Sequence, residues 1–186
     1  MTAALPKVLT LEQFLAQPET QPATEYIDGQ ILQKPMPRGK HSRLQFKLSE
    51  KINDAAEPTQ TALALPELRC TFNNRSIVPD IAVFVWSRIP FDADGEVPNI
   101  FNTYPDWIIE ILSSDQSQTR VTDNILFSIE HGTQLGWLID PGERVTIGYQ
   151  PNQLPKIYGR EQRLPILVDL ELSLSVEQLF SWLKVN

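Results

Sequence analysis

The sequence predicts a mixed α/β (α+β) fold in a single domain that spans residues 1–186. Two patterns predict this fold: apolar runs with the length of strands, and segments in which apolar residues recur every three to four positions. A third observation is that no repeat, low-complexity segment or composition shift marks a domain boundary. A chain of 186 residues is long enough to bury one hydrophobic core.

The amino-terminal part is predicted to contain a short helix, a hairpin and a longer helix. Thr10 and Gln13 have the spacing of a capping box, which predicts a helix over 11–17. The stretch TEYIDGQILQK has two apolar-alternating arms around an Asp-Gly pair, which favours a β-hairpin. From about Ser42, apolar residues recur on one helix face, which predicts an amphipathic helix.

The rest of the chain is predicted to alternate strands with two more helices. Strands are predicted at 62–72, 76–85, 107–113, 134–140 and 144–150. Helices are predicted over 120–131 and 175–184. The segment 86–106 is rich in Pro, Asp, Gly and Asn, and a connection of this length is typical of a functional loop or lid.

The composition is typical of a soluble globular protein, with 41% hydrophobic and 21% charged residues. The amino terminus has no uninterrupted apolar stretch of signal-peptide or membrane-spanning length, which predicts a cytoplasmic protein without a membrane partner. Cys70 is the only cysteine, so an internal disulfide and a cysteine-based zinc site are excluded. Cys70 would be a nucleophile only with a base such as His41, whereas a lone strand cysteine more often packs in the core.

The charge of the chain is unevenly distributed. A formal net charge of −7 argues against a protein that coats nucleic acid through bulk electrostatics. The stretch 34–51, however, has a single acid, Glu50, and six basic residues: Lys34, Arg38, Lys40, Arg43, Lys47 and Lys51. This basic stretch is either a solvated helix face or a local surface that contacts phosphates.

Two carboxylates stand in strongly apolar surroundings: Asp80 in IVPDIAVF and Glu110 in WIIEILS. An unpaired carboxylate in such surroundings must take up a proton or find a cation. If the two strands are neighbours in the sheet, both acids would converge on one Mg²⁺, which binds carboxylate and carbonyl oxygens and often a substrate phosphate. The alternative is that each acid pairs with an internal arginine or a backbone amide.

The motifs VPDIAVF, WIIEILS and GTQLGWLIDP, in this order, resemble the Uma-two family of restriction-endonuclease-like proteins. This family belongs to the P-D…(D/E)-x-K nuclease superfamily. The stretch EYIDGQILQKPMP, followed by His41, matches the opening of the same pattern. The resemblance implies a restriction-endonuclease-like mixed β-sheet flanked by helices, an amino-terminal hairpin and a metal bound at the middle of the core.

The resemblance also implies a set of site residues. Asp80 matches the aspartate of the P-D motif, and Glu110 matches the acid of the second motif. These two residues would hold Mg²⁺ or Mn²⁺ together with the backbone carbonyl of Ile111. Glu25 and His41 would line the catalytic site.

The chain departs from the family pattern at the lysine. Leu112 stands where a standard second motif has lysine. An ungapped alignment places Asn124 where family members carry a lysine on the following helix. Arg120 lies one helical turn before Asn124 and would stabilise charge on a phosphate, but a guanidinium cannot act as a base. The other source of positive charge is a basic residue from 34–47.

These observations predict a Mg²⁺-dependent endonuclease that hydrolyses phosphodiester bonds in nucleic acid, with DNA as the expected partner. A homodimer is expected by analogy with the fold, because two related sites cut both strands of a duplex. Two alternatives remain open. One is a catalytically silent binding module, and the other is a scaffold protein whose function lies in the 86–106 loop.

Overall fold

The computed structural model describes residues 9–113 and 116–185, and within these residues the chain forms four α-helices and ten β-strands. The helices are α1 (Leu11–Leu15), α2 (Gly39–Ala56), α3 (Gln118–Glu130) and α4 (Val176–Ser181). The strands are β1 (Thr24–Ile27), β2 (Gln30–Gln33), β3 (Ala62–Pro66), β4 (Cys70–Phe72), β5 (Arg75–Ile77), β6 (Ile81–Val85), β7 (Trp107–Ile111), β8 (Leu135–Asp140), β9 (Val145–Tyr149) and β10 (Lys156–Gly159).

A six-stranded sheet with the order β10-β9-β8-β7-β6-β3 forms the centre of the molecule. It is mixed, because β7 pairs with β8 in parallel and with β6 in the antiparallel direction. A parallel pair needs a crossover connection, which α3 provides between β7 and β8. The predicted mixed sheet flanked by helices is therefore confirmed.

A second, four-stranded sheet has the order β2-β1-β5-β4 and contains the predicted amino-terminal hairpin. The hairpin turn is formed by Asp28 and Gly29, whose φ angles are 50° and 83°. Positive φ at both central residues is the requirement of a tight turn that matches the twist of the strands. The Asp-Gly pair therefore fixes the register of the two arms.

The two strands predicted at 62–72 and 76–85 are each divided between the sheets, which corrects the sequence prediction. The first divides into β3 and β4, with Glu67 between them at a φ of 49°. The second divides into β5 and β6, with Pro79 between them. Proline has no N–H for a sheet ladder, so the chain leaves one sheet there and enters the other. Asp80 consequently lies just before β6 rather than inside a strand.

The large sheet separates two hydrophobic cores. The core on one face includes Leu44, Leu48 and Ile52 of α2 together with Leu179 and Phe180 of α4. The core on the other face joins α3 to the small sheet through Val121, Ile125, Ile27 and Ile77. The acidic residues cluster at one end of the large sheet. Three element ends meet there: the amino-terminal ends of β6 and α2 and the carboxyl-terminal end of β7.

Cys70 and two residues of the 86–106 segment, Ile89 and Phe101, belong to the second core. The Cys70 thiol is buried, and burial raises its pKa to about 12, which suits a core residue and not a nucleophile. Phe101 of the segment is buried and forms a β-bridge with Cys70, so this part of the connection is anchored. Among the described residues, no helix is long and apolar enough to span a membrane.

Candidate active site

Asp80 and Glu110 meet at one end of the β6–β7 pair. The register places Ile81 opposite Ile109, so the next residues outward, Asp80 and Glu110, face each other across the two strands. Opposed residues of a strand pair project from the same face of the sheet. Both side chains are buried, with 2% of each residue exposed. The N–H of Ile111 donates a hydrogen bond of 2.7 Å to Asp80 Oδ2, which places the Ile111 backbone at the same point.

Lys34 is the cation of this cluster. It follows β2, and its ammonium donates to Asp80 Oδ1 at 2.7 Å and to the carbonyl oxygen of Val78 at 2.6 Å. The same Nζ lies 3.5 Å from Glu110 Oε2. Only 13% of the Lys34 side chain is exposed, so this ion pair is shielded from water. The structure therefore selects Lys34 among the basic residues from 34–47 that sequence analysis left open.

The hairpin register explains why Lys34 points into the site. Glu25 of β1 is paired with Leu32 of β2, and the Lys34 N–H donates to the carbonyl of Ala23. Because alternate residues of a strand share a face, Lys34 lies on the same face as Leu32 and Glu25. The Asp-Gly turn fixes this register, so the sequence contained a signal that places Lys34 beside Glu25.

Glu25 is the third buried acid of the cluster, with 4% of the residue exposed. Its Oε1 accepts a hydrogen bond of 2.9 Å from the N–H of Val78. The side-chain amide of Asn124 donates to Glu25 Oε2 at 3.3 Å, so α3 reaches the cluster at this position. Position 124, where the resemblance implied a lysine, thus faces the acids, but here it holds a neutral amide.

His41 approaches Asp80 from the first turn of α2. Its Nε2 lies 2.9 Å from Asp80 Oδ2, and its Nδ1 is buried and has no hydrogen-bond partner among the described residues. One helical turn later, the Gln45 amide donates to the backbone carbonyl of Asp80 at 2.8 Å. The start of α2 therefore fixes both the side chain and the backbone of Asp80.

Arg120 is not brought to the carboxylates, which corrects its expected role as the source of positive charge. It lies in the first turn of α3, where the side chain is exposed, and the buried part of the helix begins at Val121. Its guanidinium makes no ion pair among the residues that the structure describes. Leu112, at the standard lysine position, is half-buried beside the second core.

The three charged groups at the centre have strongly altered pKa values. Burial raises the pKa of Glu110 well above its usual range, and the nearby charges of Asp80 and Glu25 raise it further, against the effect of Lys34. Burial would also raise the pKa of Asp80, but Lys34 and His41 together outweigh it and hold that pKa below its usual range. Burial lowers the pKa of Lys34, but the carboxylates around it raise it above its ordinary value. Asp80 and Lys34 therefore form an ion pair. The positive charge near Glu110 is too small to offset the effects that raise its pKa.

The orphaned oxygens of Glu110 provide a test of whether the site suits a metal. Both are buried, and neither accepts a hydrogen bond from any described residue. Within residues 9–113 and 116–185, no three His, Cys, Asp or Glu side chains are grouped so that they could hold a metal by themselves. Mg²⁺ needs only one or two carboxylates, because waters and substrate phosphates complete its shell. Asp80, Glu110 and the Ile111 carbonyl therefore fit Mg²⁺ or Mn²⁺ better than a zinc-type cage.

The cluster opens into a small cleft of about 80 Å³ that is lined by Lys34, His41 and Asp80. This volume holds a few waters or a hydrated cation, not a nucleotide base. A larger neighbouring cleft is lined by Lys40, Pro141 and Gly142, and His41 belongs to both.

The basic stretch is divided by the structure into residues with different partners. Lys34 is in the acidic cluster, the Arg43 Nε donates to the carbonyl of Trp182 at 3.0 Å, and Lys47 pairs with Glu50 at 2.5 Å. Lys40 is exposed at the larger cleft. Part of the basic stretch is therefore structural. If the stretch contacts phosphates, it does so mainly through residues near its amino-terminal end, such as Lys40.

Comparison with known proteins agrees with the fold described above. Residues 11–177 match the family described as "Uma2: Putative restriction endonuclease". A crystal structure described as a putative nuclease belonging to DUF820 from Anabaena variabilis has a TM-score of 0.93 and 53% sequence identity. The similarity covers 95% of this chain and 99% of that chain. No curated protein matches the chain.

Proposed function

Because the chain belongs to the Uma2 family of restriction-endonuclease-like proteins, we propose that it is a metal-dependent nuclease that hydrolyses phosphodiester bonds in DNA. The family membership indicated by the three motifs is confirmed, and it is the premise of this proposal. The metal, the DNA substrate and the roles of single residues are inferred from the site.

The observation that carries the proposal is the buried carboxyl group of Glu110 beside Asp80. Its oxygens accept no hydrogen bond from any described residue, and its ion-pair contact with Lys34 is long, at 3.5 Å. A buried carboxylate with so little compensation lowers the stability of the fold, because its lost hydration is not replaced. Three carboxyl groups face one ammonium here, and the raised pKa of Glu110 is consistent with too little positive charge to keep all three ionised. A divalent cation would supply that charge and a direct partner for Glu110.

When bound, Mg²⁺ or Mn²⁺ lowers the pKa of a coordinated water and neutralises charge that develops on the phosphate. Asp80, Glu110 and the carbonyl of Ile111 would hold the ion. The N–H of Ile111 and the imidazole of His41 fix the orientation of the Asp80 carboxylate. Such fixed orientation is a requirement of a site that acts through charge placement.

Lys34 and Glu25 complete the site. The Lys34 ammonium lies at the cleft and is the nearest positive charge for a phosphate oxygen. Glu25 is held by Val78 and Asn124 and adds negative charge next to the metal ligands. The exposed Arg120 has no role in this proposal.

DNA is proposed as the substrate because the matched family is described as restriction endonucleases. With a net charge of −7, affinity for DNA has to come from local contacts such as Lys40 rather than from bulk charge. We propose a homodimer, because two related sites would cut the two strands of a duplex.

Nicking of supercoiled plasmid with Mg²⁺, with Mn²⁺ and with a chelator tests the proposal. We expect slow nicking by the wild-type protein with either metal and none with the chelator. Asp80→Ala should abolish it, because it removes a metal ligand, while Asp54→Ala, which removes an exposed acid of α2, should have no effect. Nicking that persists in Asp80→Ala would assign the activity to another site or to a contaminant.

A catalytically silent DNA-binding protein is the second candidate function. The observation that favours it is the absence of lysine at both positions 112 and 124. A wild-type protein that binds plasmid DNA at low salt but cleaves it with neither metal would support this candidate.

A further inference from the structure

The Lys34 ammonium occupies the position that a metal ion would need. It contacts three oxygens: the carbonyl of Val78 at 2.6 Å, Asp80 Oδ1 at 2.7 Å and Glu110 Oε2 at 3.5 Å. Two carboxylates and a backbone carbonyl are also the kind of ligand set that Mg²⁺ prefers. The side chain of a residue from the hairpin thus takes the place of an inorganic cation.

In this arrangement the Lys34 ammonium covers Oδ1, the one oxygen of Asp80 that still has a free lone pair. Asp80 Oδ1 accepts from Lys34, and Oδ2 is next to His41 and accepts from the N–H of Ile111. An ammonium and a divalent ion on the same oxygens would also repel each other strongly at this degree of burial. A metal can therefore bind Asp80 and Glu110 only if the Lys34 ammonium leaves Oδ1.

Lys34 has a path by which to leave. Its backbone is held by the hydrogen bond to Ala23, but its side chain is an unbranched, flexible stem. The small cleft is lined by Lys34 itself, Asp80 and Met36, and Met36 is 61% exposed, so the cleft reaches the surface. Rotation of the side chain alone moves the ammonium from the acids into this cleft.

We propose that Lys34 is a tethered cation with two positions. In the metal-free protein its ammonium replaces the metal on Asp80 and Glu110. When Mg²⁺ or Mn²⁺ binds, the ammonium moves into the small cleft, where it binds a phosphate of the nucleic acid. This inference rests on the proposed function and assigns to Lys34 the positive charge that the family resemblance had led us to expect on the helix, at position 124.

Metal affinity gives the first test, by calorimetric titration of Mn²⁺ into the wild type, Lys34→Met and Lys51→Met. Removing a competing cation should tighten Mn²⁺ binding by about tenfold or more, within the usual range of coupling between two binding events. Lys51→Met, which removes an exposed lysine near the other end of α2, should bind Mn²⁺ as the wild type does. Equal or weaker Mn²⁺ binding by Lys34→Met overturns the inference and leaves the proposed nuclease function intact.

The second test uses the wild-type protein, so it does not depend on the folding of a variant. Lysine acylation is followed residue by residue by mass spectrometry, with and without Mg²⁺. We expect Lys34 to be protected without Mg²⁺ and to react several-fold faster with it, while the rate at Lys40 stays the same. An unchanged Lys34 rate, with Mg²⁺ binding shown by a raised melting temperature, overturns the inference. Absence of Mg²⁺ and Mn²⁺ binding to both the wild type and Lys34→Met contradicts metal dependence itself and overturns both proposals.

Discussion

Strand β7 has a buried acid near each end, and the two are treated in opposite ways. Asp106 immediately precedes the strand, and its Oδ2 accepts a hydrogen bond of 2.8 Å from the N–H of Val85. Its Oδ1 accepts from the Gln134 amide at 3.2 Å and lies 2.6 Å from Arg88 Nη1. Glu110, near the other end, accepts no hydrogen bond from any described residue.

We propose that the difference between Asp106 and Glu110 distinguishes a structural acid from a functional one. Both are almost completely buried, with 1% and 2% of the residue exposed, so burial alone does not distinguish them. The partners of Asp106 tie the 86–106 segment and the start of β8 to the sheet, and this contribution to the fold explains its presence. Glu110 makes no such contribution, and a locally unfavourable buried group is expected at a functional site.

The largest expected effect is on nicking and comes from replacing Glu110 by its amide, with the same replacement at Asp106 as the comparison. Glu110→Gln should reduce metal-dependent nicking by about 10²–10³-fold or more, because one metal ligand loses its charge. Asp106→Asn should leave the nicking rate of the folded protein unchanged. Initial nicking rates under identical Mn²⁺ concentrations measure both.

For the free energy of unfolding in urea we expect the opposite order: Asp106→Asn should have the larger effect and Glu110→Gln the smaller one. Asp106→Asn should lower the free energy of unfolding by about 2–3 kcal/mol, less than for a fully buried pair because the Arg88 side chain is 29% exposed. Glu110→Gln should leave the metal-free stability unchanged or raise it, since it removes repulsion from Asp80. If both variants lose stability equally, the distinction between a structural and a functional acid is wrong.

A smaller effect is expected at Lys40, which extends the comparison from buried to exposed charges. Lys40→Ala should lower the salt dependence of DNA binding by about one phosphate contact, because the residue lines the larger cleft. Lys51→Ala removes an exposed lysine near the other end of α2 and is the matched control. Fluorescence anisotropy over a salt series measures the slopes, and equal slopes for both variants would remove the larger cleft from the proposed DNA path.

The smallest effect is expected at Asn124, whose Oδ1 is buried and has no hydrogen-bond partner among the described residues. Restoring a basic residue with Asn124→Lys should change nicking by no more than about threefold, because Lys34 already supplies the charge. A gain of about 10²-fold would show instead that the charge is missing in the wild type. A melting curve of the variant shows whether the substituted protein is folded.

Much of the fold and of the acidic cluster followed from local patterns. The Asp-Gly pair predicted the hairpin, and the two apolar runs with an acid predicted that Asp80 and Glu110 would converge if their strands were neighbours. What local patterns could not show is that Pro79 divides one predicted strand between two sheets. A proline inside an apolar run indicates an edge or a bulge, and the choice between these and a change of sheet depends on tertiary packing.

The residue that brings positive charge to the acids was harder to predict, because its position also depends on tertiary packing. Spacing along the chain places Arg120 one turn from Asn124, but it does not show that the buried part of α3 begins one residue after Arg120. Lys34 is 46 residues from Asp80 in sequence, and the two meet only because the small sheet packs against the end of the large one. The register of the hairpin was available from the sequence, whereas the position of the hairpin was not.

The backbone of Val78 serves two charged groups of the site at once. Its N–H donates to Glu25, and its carbonyl accepts from Lys34, at the point where the chain passes between the sheets. Neither contact uses the valine side chain, which is itself buried, so replacement by alanine would report on packing and not on these two hydrogen bonds. The contribution of position 78 to the site is made by its peptide groups and is visible only in the geometry of the main chain.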